Sequence, residues 1–129
     1  MKTIARLLVV VVAGGALFAP SAVGADTRRF KATGSGAASR WQPEVRRIVK
    51  GDRIVWKNPT GGTHTVTAWK GKWSKDTQVS SGGKTARKFR KTGVYKFRCT
   101  IGSGTQFAHS TVENGTCSGM CGTVRVRRP

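Results

Sequence analysis

The sequence has 129 residues, of which 37% are hydrophobic, and its 24 lysines and arginines outnumber its 5 acidic residues to give a net charge of +19 at pH 7. This length allows one domain with a modest core. The excess of positive charge predicts attraction to an anionic partner, such as an acidic protein or a phosphate polymer of the cell envelope. We expect no nucleic-acid binding, because the sequence carries no recognised signature of a nucleic-acid-binding fold.

Residues 1–25 have the pattern of a secretory signal peptide. Lys2 and Arg6 precede the apolar run 7–19, and small residues end the segment at Ala25. The run is shorter than the roughly 20 residues that a membrane-spanning helix needs. We expect cleavage after Ala25. The cut removes two cations and no acid, so 104 residues with a net charge of +17 remain, and the mature protein is predicted to be secreted or extracytoplasmic and monomeric.

Residues 26–40 are predicted to be a flexible N-terminal segment with a possible first strand at 29–33. The stretch 34–39 is rich in Gly, Ala and Ser, which is typical of a loop. A single domain is predicted to follow, over residues 41–129.

From Val45 onward the sequence predicts an all-β fold. Short runs rich in Val, Ile, Thr and aromatic residues alternate with turn-forming Gly, Asn, Asp and Ser, and no segment has a sustained helical period. The predicted strands are about 45–49, 53–57, 63–69, 85–90, 94–99 and 122–127. This spacing favours a Greek-key β-sandwich or barrel.

The period-two alternation predicts which side chains face the core. In the run 95–99, Tyr95, Phe97 and Cys99 alternate with cationic residues, so the Cys99 thiol is expected to point inward. His64 shares a face with Val66 by the same argument. Further inward side chains are predicted on the same basis: Ala68, Ile54, Trp56, Val124 and Val126.

The three cysteines leave several pairings open. Cys117 and Cys121 could form a short-range disulfide in an oxidising compartment, which would leave Cys99 free. Cys99 could instead be an inert core thiol, pair with one of the other two, or join both of them in binding a metal.

The soft donor side chains are few and they cluster. The chain has two histidines, His64 and His109, and Met120 is its one methionine besides Met1. One thiolate, two imidazoles and a thioether form the ligand set of a blue-copper site, whereas zinc favours four closed ligands that rarely include methionine. The sequence therefore predicts one mononuclear copper site made of His64, Cys99, His109 and Met120.

Three segments carry a resemblance to the plastocyanin-like cupredoxins, the type 1 blue copper proteins: VKGDRIVWKNPTGGTHTV (49–66), TGVYKFRCTI (92–101) and GMCGTVRV (119–126). The resemblance implies an eight-stranded Greek-key β-sandwich with one type 1 copper ion. It also implies that His64 is the upstream histidine ligand, Cys99 the thiolate and Met120 the axial ligand. His109 would be the downstream histidine, which lies nearest solvent in the family and passes the electron.

The spacing of the ligands departs from the family pattern, because the residues 102–108 separate Ile101 from His109 like an insert. Either the insert loops out and leaves His109 in the usual position, or Gly102 has replaced the ligand and the site is damaged. We expect the first outcome, since a longer flexible loop costs little closure entropy. Thr65 is expected to hydrogen-bond the backbone near Thr100 and to hold the Cys99 loop against the His64 strand.

These features predict a secreted electron carrier that cycles copper between Cu(I) and Cu(II), docks with acidic redox partner proteins and transforms no substrate. One alternative is an extracytoplasmic protein that binds or buffers copper without carrying electrons. Another is a metal-free cationic binding module on the same fold.

Overall fold

The computed structural model describes residues 25–129, so the predicted signal peptide lies outside the described residues except for Ala25. The one helical element of the described residues is a short 3-10 turn at Gly36–Ala38. These residues contain no helix that is long and apolar enough to cross a membrane. Its eleven strands are β1 Thr27–Thr33, β2 Arg40–Gln42, β3 Val45–Val49, β4 Arg53–Lys57, β5 His64–Lys70, β6 Asp76–Val79, β7 Lys84–Lys88, β8 Gly93–Arg98, β9 Ser110–Glu113, β10 Thr116–Gly119 and β11 Cys121–Arg127.

The strands form two main sheets and a hairpin. One sheet has four strands in the order β2-β1-β4-β7, the other has five in the order β3-β11-β8-β5-β6, and β9 pairs with β10 alone. β1 with β4 and β3 with β11 are parallel pairs, and the remaining pairs are antiparallel. The all-β prediction is confirmed. The eleven strands exceed by three the eight that the resemblance implies, and the β9–β10 hairpin between Cys99 and Met120 accounts for two of the three.

The inner faces of the two sheets bury an aromatic core. Phe97 of β8 lies 4.8 Å from Phe30 of β1 and 5.3 Å from Trp56 of β4, measured between ring centroids, and all three side chains are fully buried. The predicted inward positions of Tyr95, Cys99, Val66, Ile54, Val124 and Val126 are confirmed by their burial. The same core reaches one end of the sandwich, where Cys99 and Met120 are its buried members.

The first strand is longer than predicted, and four short strands, β2, β6, β9 and β10, were not predicted. β1 begins at Thr27 and lies between β2 and β4 in the four-stranded sheet, so residues 27–33 are part of the sandwich. β6 was not predicted, because its four residues bury only Val79 and give no clear alternation. In the sheet β6 pairs with β5 so that Val79 lies opposite His64, which fixes the start of β5.

Candidate metal centre

Four separate segments bring the predicted ligands to one end of the sandwich. His64 is the first residue of β5, and Cys99 directly follows β8. His109 directly precedes β9, and Met120 lies between β10 and β11. Residues 45 positions apart in the sequence, His64 and His109, are thereby placed side by side, with ring centroids 5.1 Å apart.

Three of the donor atoms converge on one point. The Nδ1 atoms of His64 and His109 are 3.2 Å apart, and the Cys99 Sγ atom lies 3.5 Å from His109 Nδ1 and 3.9 Å from His64 Nδ1. Ligand atoms that share one ion at bond lengths of about 2.0–2.3 Å lie roughly 3.3–3.8 Å from one another. His64 and Cys99 are buried and His109 is partly exposed. The three side chains therefore fit a shared metal ion.

Met120 is fully buried and its backbone is bonded to two of these residues. Its N–H donates to the His109 carbonyl at 2.8 Å, and its own carbonyl accepts from the Cys99 N–H at 3.0 Å. These two bonds hold the Met120 segment against the backbone of Cys99 and of His109. The structure thus places Met120 beside the other three residues, as the sequence predicts.

The insert between Ile101 and His109 loops out of the site. The His109 N–H donates to the Ile101 carbonyl at 3.0 Å, so the backbone closes on itself across residues 102–108. Gly102 opens this turn with a φ of +69°, a conformation that favours glycine. Phe107 projects from the loop with 69% of its surface exposed. Of the two predicted outcomes the structure shows the first, because His109 reaches Cys99 and Gly102 does not replace it.

A polar network orients the His64 ring. Thr60 Oγ1 lies 2.9 Å from His64 Nε2 and donates to Asn58 Oδ1 at 2.6 Å. The Asn58 amide in turn donates to the carbonyls of Gly62, at 2.7 Å, and Val79, at 2.9 Å. With Nε2 engaged in this way, Nδ1 is the ring nitrogen that faces Cys99 and His109. An asparagine side chain often accepts a hydrogen bond from the backbone N–H two residues further on, as Asn58 does from Thr60, so the residue type alone is a signal for this network.

The predicted role of Thr65 is confirmed. Its hydroxyl accepts a hydrogen bond from the Thr100 N–H at 2.8 Å and ties β5 to the residue after Cys99. Its own N–H donates to Cys99 Sγ at 3.3 Å. A backbone N–H directed at sulfur stabilises the negative charge of a thiolate. The contact therefore fixes the sulfur beside β5, facing His64.

The cysteine pairing is resolved. Cys117 and Cys121 form a disulfide, and Cys99 is the free and buried cysteine of the described residues. The alternatives in which Cys99 pairs with another cysteine, or in which all three bind one metal, are wrong. Cys99 is also more than a simple core thiol, since two imidazole nitrogens lie within 3.9 Å of its sulfur. The disulfide closes a small ring around Met120.

The environment favours the neutral form of both imidazoles. Burial lowers the pKa of His64, and the proximity of His109 lowers it further. Burial also lowers the pKa of His109. Since only a neutral imidazole has a free lone pair for a metal, the site is prepared to bind an ion at neutral pH without first losing a proton from either ring.

Comparisons with known proteins identify the fold. No family model matches the sequence, and no curated protein matches it. Among solved structures, a purple cupredoxin from Nitrosopumilus maritimus is 16% identical with a TM-score of 0.58, and the match covers 77% of this chain and 98% of that one. Amicyanin from Paracoccus versutus is 19% identical with a TM-score of 0.57, over 82% of this chain and 86% of that one.

A third similar structure, the copper-containing nitrite reductase of Thermus scotoductus, is 19% identical with a TM-score of 0.56. That match covers 81% of this chain but only 23% of the reductase. Sequence identities this low establish common architecture only. The structural similarity to these proteins and the two-sheet topology show that this chain has the cupredoxin fold.

Proposed function

We propose that this protein is an electron carrier with one type 1 copper ion held by His64, Cys99, His109 and Met120. The observation that carries the proposal is the convergence of His64 Nδ1, His109 Nδ1 and Cys99 Sγ within 3.9 Å of one another. A copper ion held by two imidazoles, a thiolate and a thioether supplies one-electron chemistry by alternating between Cu(I) and Cu(II).

The surrounding chain supports this role by holding the ligands in fixed positions. Backbone hydrogen bonds join Met120 to His109 and Cys99, and Thr65 joins the Cys99 loop to β5. A ligand set that cannot rearrange is suited to electron transfer, since the ion then changes charge with little movement of its ligands.

His109 is the proposed electron exit. It is partly exposed, whereas only 2% of the His64 surface is accessible. Both rings border a surface depression of about 420 Å³ whose other lining residues are Ile101 and uncharged residues of the loops 34–39 and 60–63. A redox partner would therefore approach His109 over a neutral surface, and charged groups would contribute from its periphery.

Location and partners belong to the same proposal. We propose that the protein acts outside the cytoplasm as a monomer, transforms no substrate and docks transiently with acidic redox proteins. The signal-like residues 1–25 support the location. The similar structures include a Cu(I) form of amicyanin, which supports copper as the ion that this fold carries.

The test is an absorption spectrum of the purified protein after addition of Cu(II). We expect an intense blue band from thiolate-to-copper charge transfer that disappears in Cys99→Ser and is lost or shifted in His109→Ala. Gln106→Ala, an exposed position of the insert, is the matched control and should leave the band unchanged. Absence of the band from the unmutated protein would refute the proposal, and an unchanged band in His109→Ala would refute the assignment of that ligand.

A second function, copper binding or buffering without electron transfer, is favoured by one observation. The exposed insert 102–108 lengthens the loop that carries His109, which would give that ligand more freedom. Repeated reduction by ascorbate and reoxidation, followed at the blue band, distinguishes the two functions. Full recovery over many cycles supports the electron carrier, whereas loss of copper on reduction supports buffering.

A further inference from the structure

The outer face of the four-stranded sheet carries a compact group of positive charges. In β1, β4 and β7 the side chains that alternate with the buried ones are exposed and mostly cationic. We name this surface the cationic face and define it by six residues: Arg29, Lys31, Arg53, Lys57, Lys84 and Lys88.

Strand register aligns these charges across the sheet. Lys31 lies opposite Lys57, and Lys57 lies opposite Lys84, so three lysines form one row over three adjacent strands. Arg53 and Lys88 form a second opposed pair. Neighbouring strands are about 4.8 Å apart, and like charges placed directly opposite one another destabilise a sheet. An arrangement that costs stability in this way is explained if an anion normally neutralises it.

No acidic side chain offsets these charges within the sheet, because none of its four strands contains Asp or Glu. Within residues 25–129 the one ion pair joins Arg28 to Asp26, outside the cationic face. The outer face of the other sheet also opposes cations, Arg47 with Arg125 and Lys70 with Lys96, but the acidic Asp76 of β6 and the 43% exposed Val94 belong to the same sheet. The cationic face is therefore the one whose sheet carries no acidic side chain in its strands.

A groove of about 370 Å³ continues the cationic face at its β1 edge. Four cations line it, Arg29, Lys31, Arg46 and Lys57, together with the uncharged Gln42 and Pro43. The guanidinium of Arg46 is fixed there by donating to the Arg29 carbonyl at 2.9 Å. The row of lysines thus continues into a groove that is also positively charged. This long, continuous surface suits an extended anion better than a compact one.

We propose that the cationic face binds a linear phosphodiester polymer without bases, of the poly(glycerol phosphate) type. A flexible chain can follow the twist of a sheet, whereas a planar bilayer meets a twisted surface at fewer points. The outward positions at the centre of the face are Val55 and Ala86, so no large apolar side chain is available to insert into lipid or to anchor a protein partner. Nor does the face present an aromatic ring on which a nucleic-acid base could stack.

This interaction leaves the metal centre free. The depression beside His109 has no charged lining residue, while the cationic face points outward from the opposite sheet to the one that supplies β5 and β8. The protein could thus be retained on an anionic polymer and still expose His109. Binding of the polymer does not depend on the proposed copper chemistry.

The experiment measures binding of fluorescently labelled poly(glycerol phosphate) by anisotropy over a range of salt concentrations, with the copper-free protein and again after addition of Cu(II). The test variant replaces the lysine row: Lys31→Gln, Lys57→Gln and Lys84→Gln. The matched control makes the same charge change on the other sheet: Arg47→Gln, Arg125→Gln and Arg127→Gln. Thermal unfolding of both variants checks that they fold.

We expect the lysine-row variant to bind about 10- to 100-fold more weakly at 0.1 M salt, and the slope of log affinity against log salt to fall by about 2, since each phosphate contact contributes roughly 0.7. The control should keep most of the affinity, and copper should have no effect. Equal losses in the two variants would overturn the proposal in favour of net charge alone. Tighter binding to vesicles of anionic lipid, or to single-stranded DNA with the same number of phosphates, would overturn the choice of polymer.

Discussion

Replacement of Asn58 by alanine tests whether the buried amide organises the loop that delivers His64. Asn58 is 1% exposed, and its side chain forms four hydrogen bonds. Nδ2 donates to the carbonyls of Gly62 and Val79, and Oδ1 accepts from the N–H and the hydroxyl of Thr60. Asn58→Ala removes all four, including the bond to the carbonyl of the buried Val79.

The expected cost follows from this count. A typical intramolecular hydrogen bond contributes about 0.5–1.5 kcal/mol net, so the four together predict a loss of about 2–6 kcal/mol in the free energy of unfolding. This is a large part of the 5–15 kcal/mol or so that stabilises most domains. For a domain of this size it corresponds to a fall in Tm on the order of 10–25 °C.

The assay is equilibrium denaturation of the copper-free protein, which separates stability from metal binding. Asn58→Asp is the matched variant, because it keeps both acceptor contacts of Oδ1 and loses the two donated bonds. Its second carboxylate oxygen would face the carbonyl oxygens of Gly62 and Val79 in a buried site, so we expect a loss at least as large as that of Asn58→Ala. A loss below about 1 kcal/mol in Asn58→Ala would refute the reasoning, since it would mean that the backbone holds the 58–63 loop without the amide.

Three further predictions concern the metal centre. Removal of the disulfide by the double substitution Cys117→Ser and Cys121→Ser should loosen the Met120 segment. We expect the blue band and the reduction potential of the copper-loaded protein to shift, and an unchanged spectrum would contradict this. Gly119→Ala should unfold the protein or sharply lower its denaturation midpoint, because Gly119 has a φ of +91° and an added Cβ would overlap the His109 carbonyl. The copper-free protein should lose stability as the pH falls from 7.5 to 5.5. Burial lowers the pKa of both histidines below the ordinary 6.5, so the unfolded state takes up protons first, and a denaturation midpoint independent of pH would contradict this.

Local patterns in the sequence were sufficient to predict the central strands and the inward direction of the Cys99 side chain. The alternation of apolar and cationic residues in β8 places Tyr95, Phe97 and Cys99 on one face, and the structure buries all three. The β9–β10 hairpin was missed, although Asn114 and Gly115 at its turn form one of the strongest short hairpin signals. Both residues have positive φ, of 50° and 74°, as a type I′ turn requires.

The geometry of the metal centre could not be read from local patterns, because the contacts that create it join distant parts of the chain. The position of His109 depends on the bond from its N–H to Ile101 across the insert, and the position of Met120 depends on bonds to His109 and Cys99. The composition of the ligand set restricts the chemistry, since a chain with two histidines and a single unpaired cysteine has few ways to assemble such a site. Whether the insert 102–108 closes outward or displaces the ligand is decided by backbone hydrogen bonds that no residue type specifies. Sequence therefore predicts which side chains take part, and only the fold determines that their donor atoms meet.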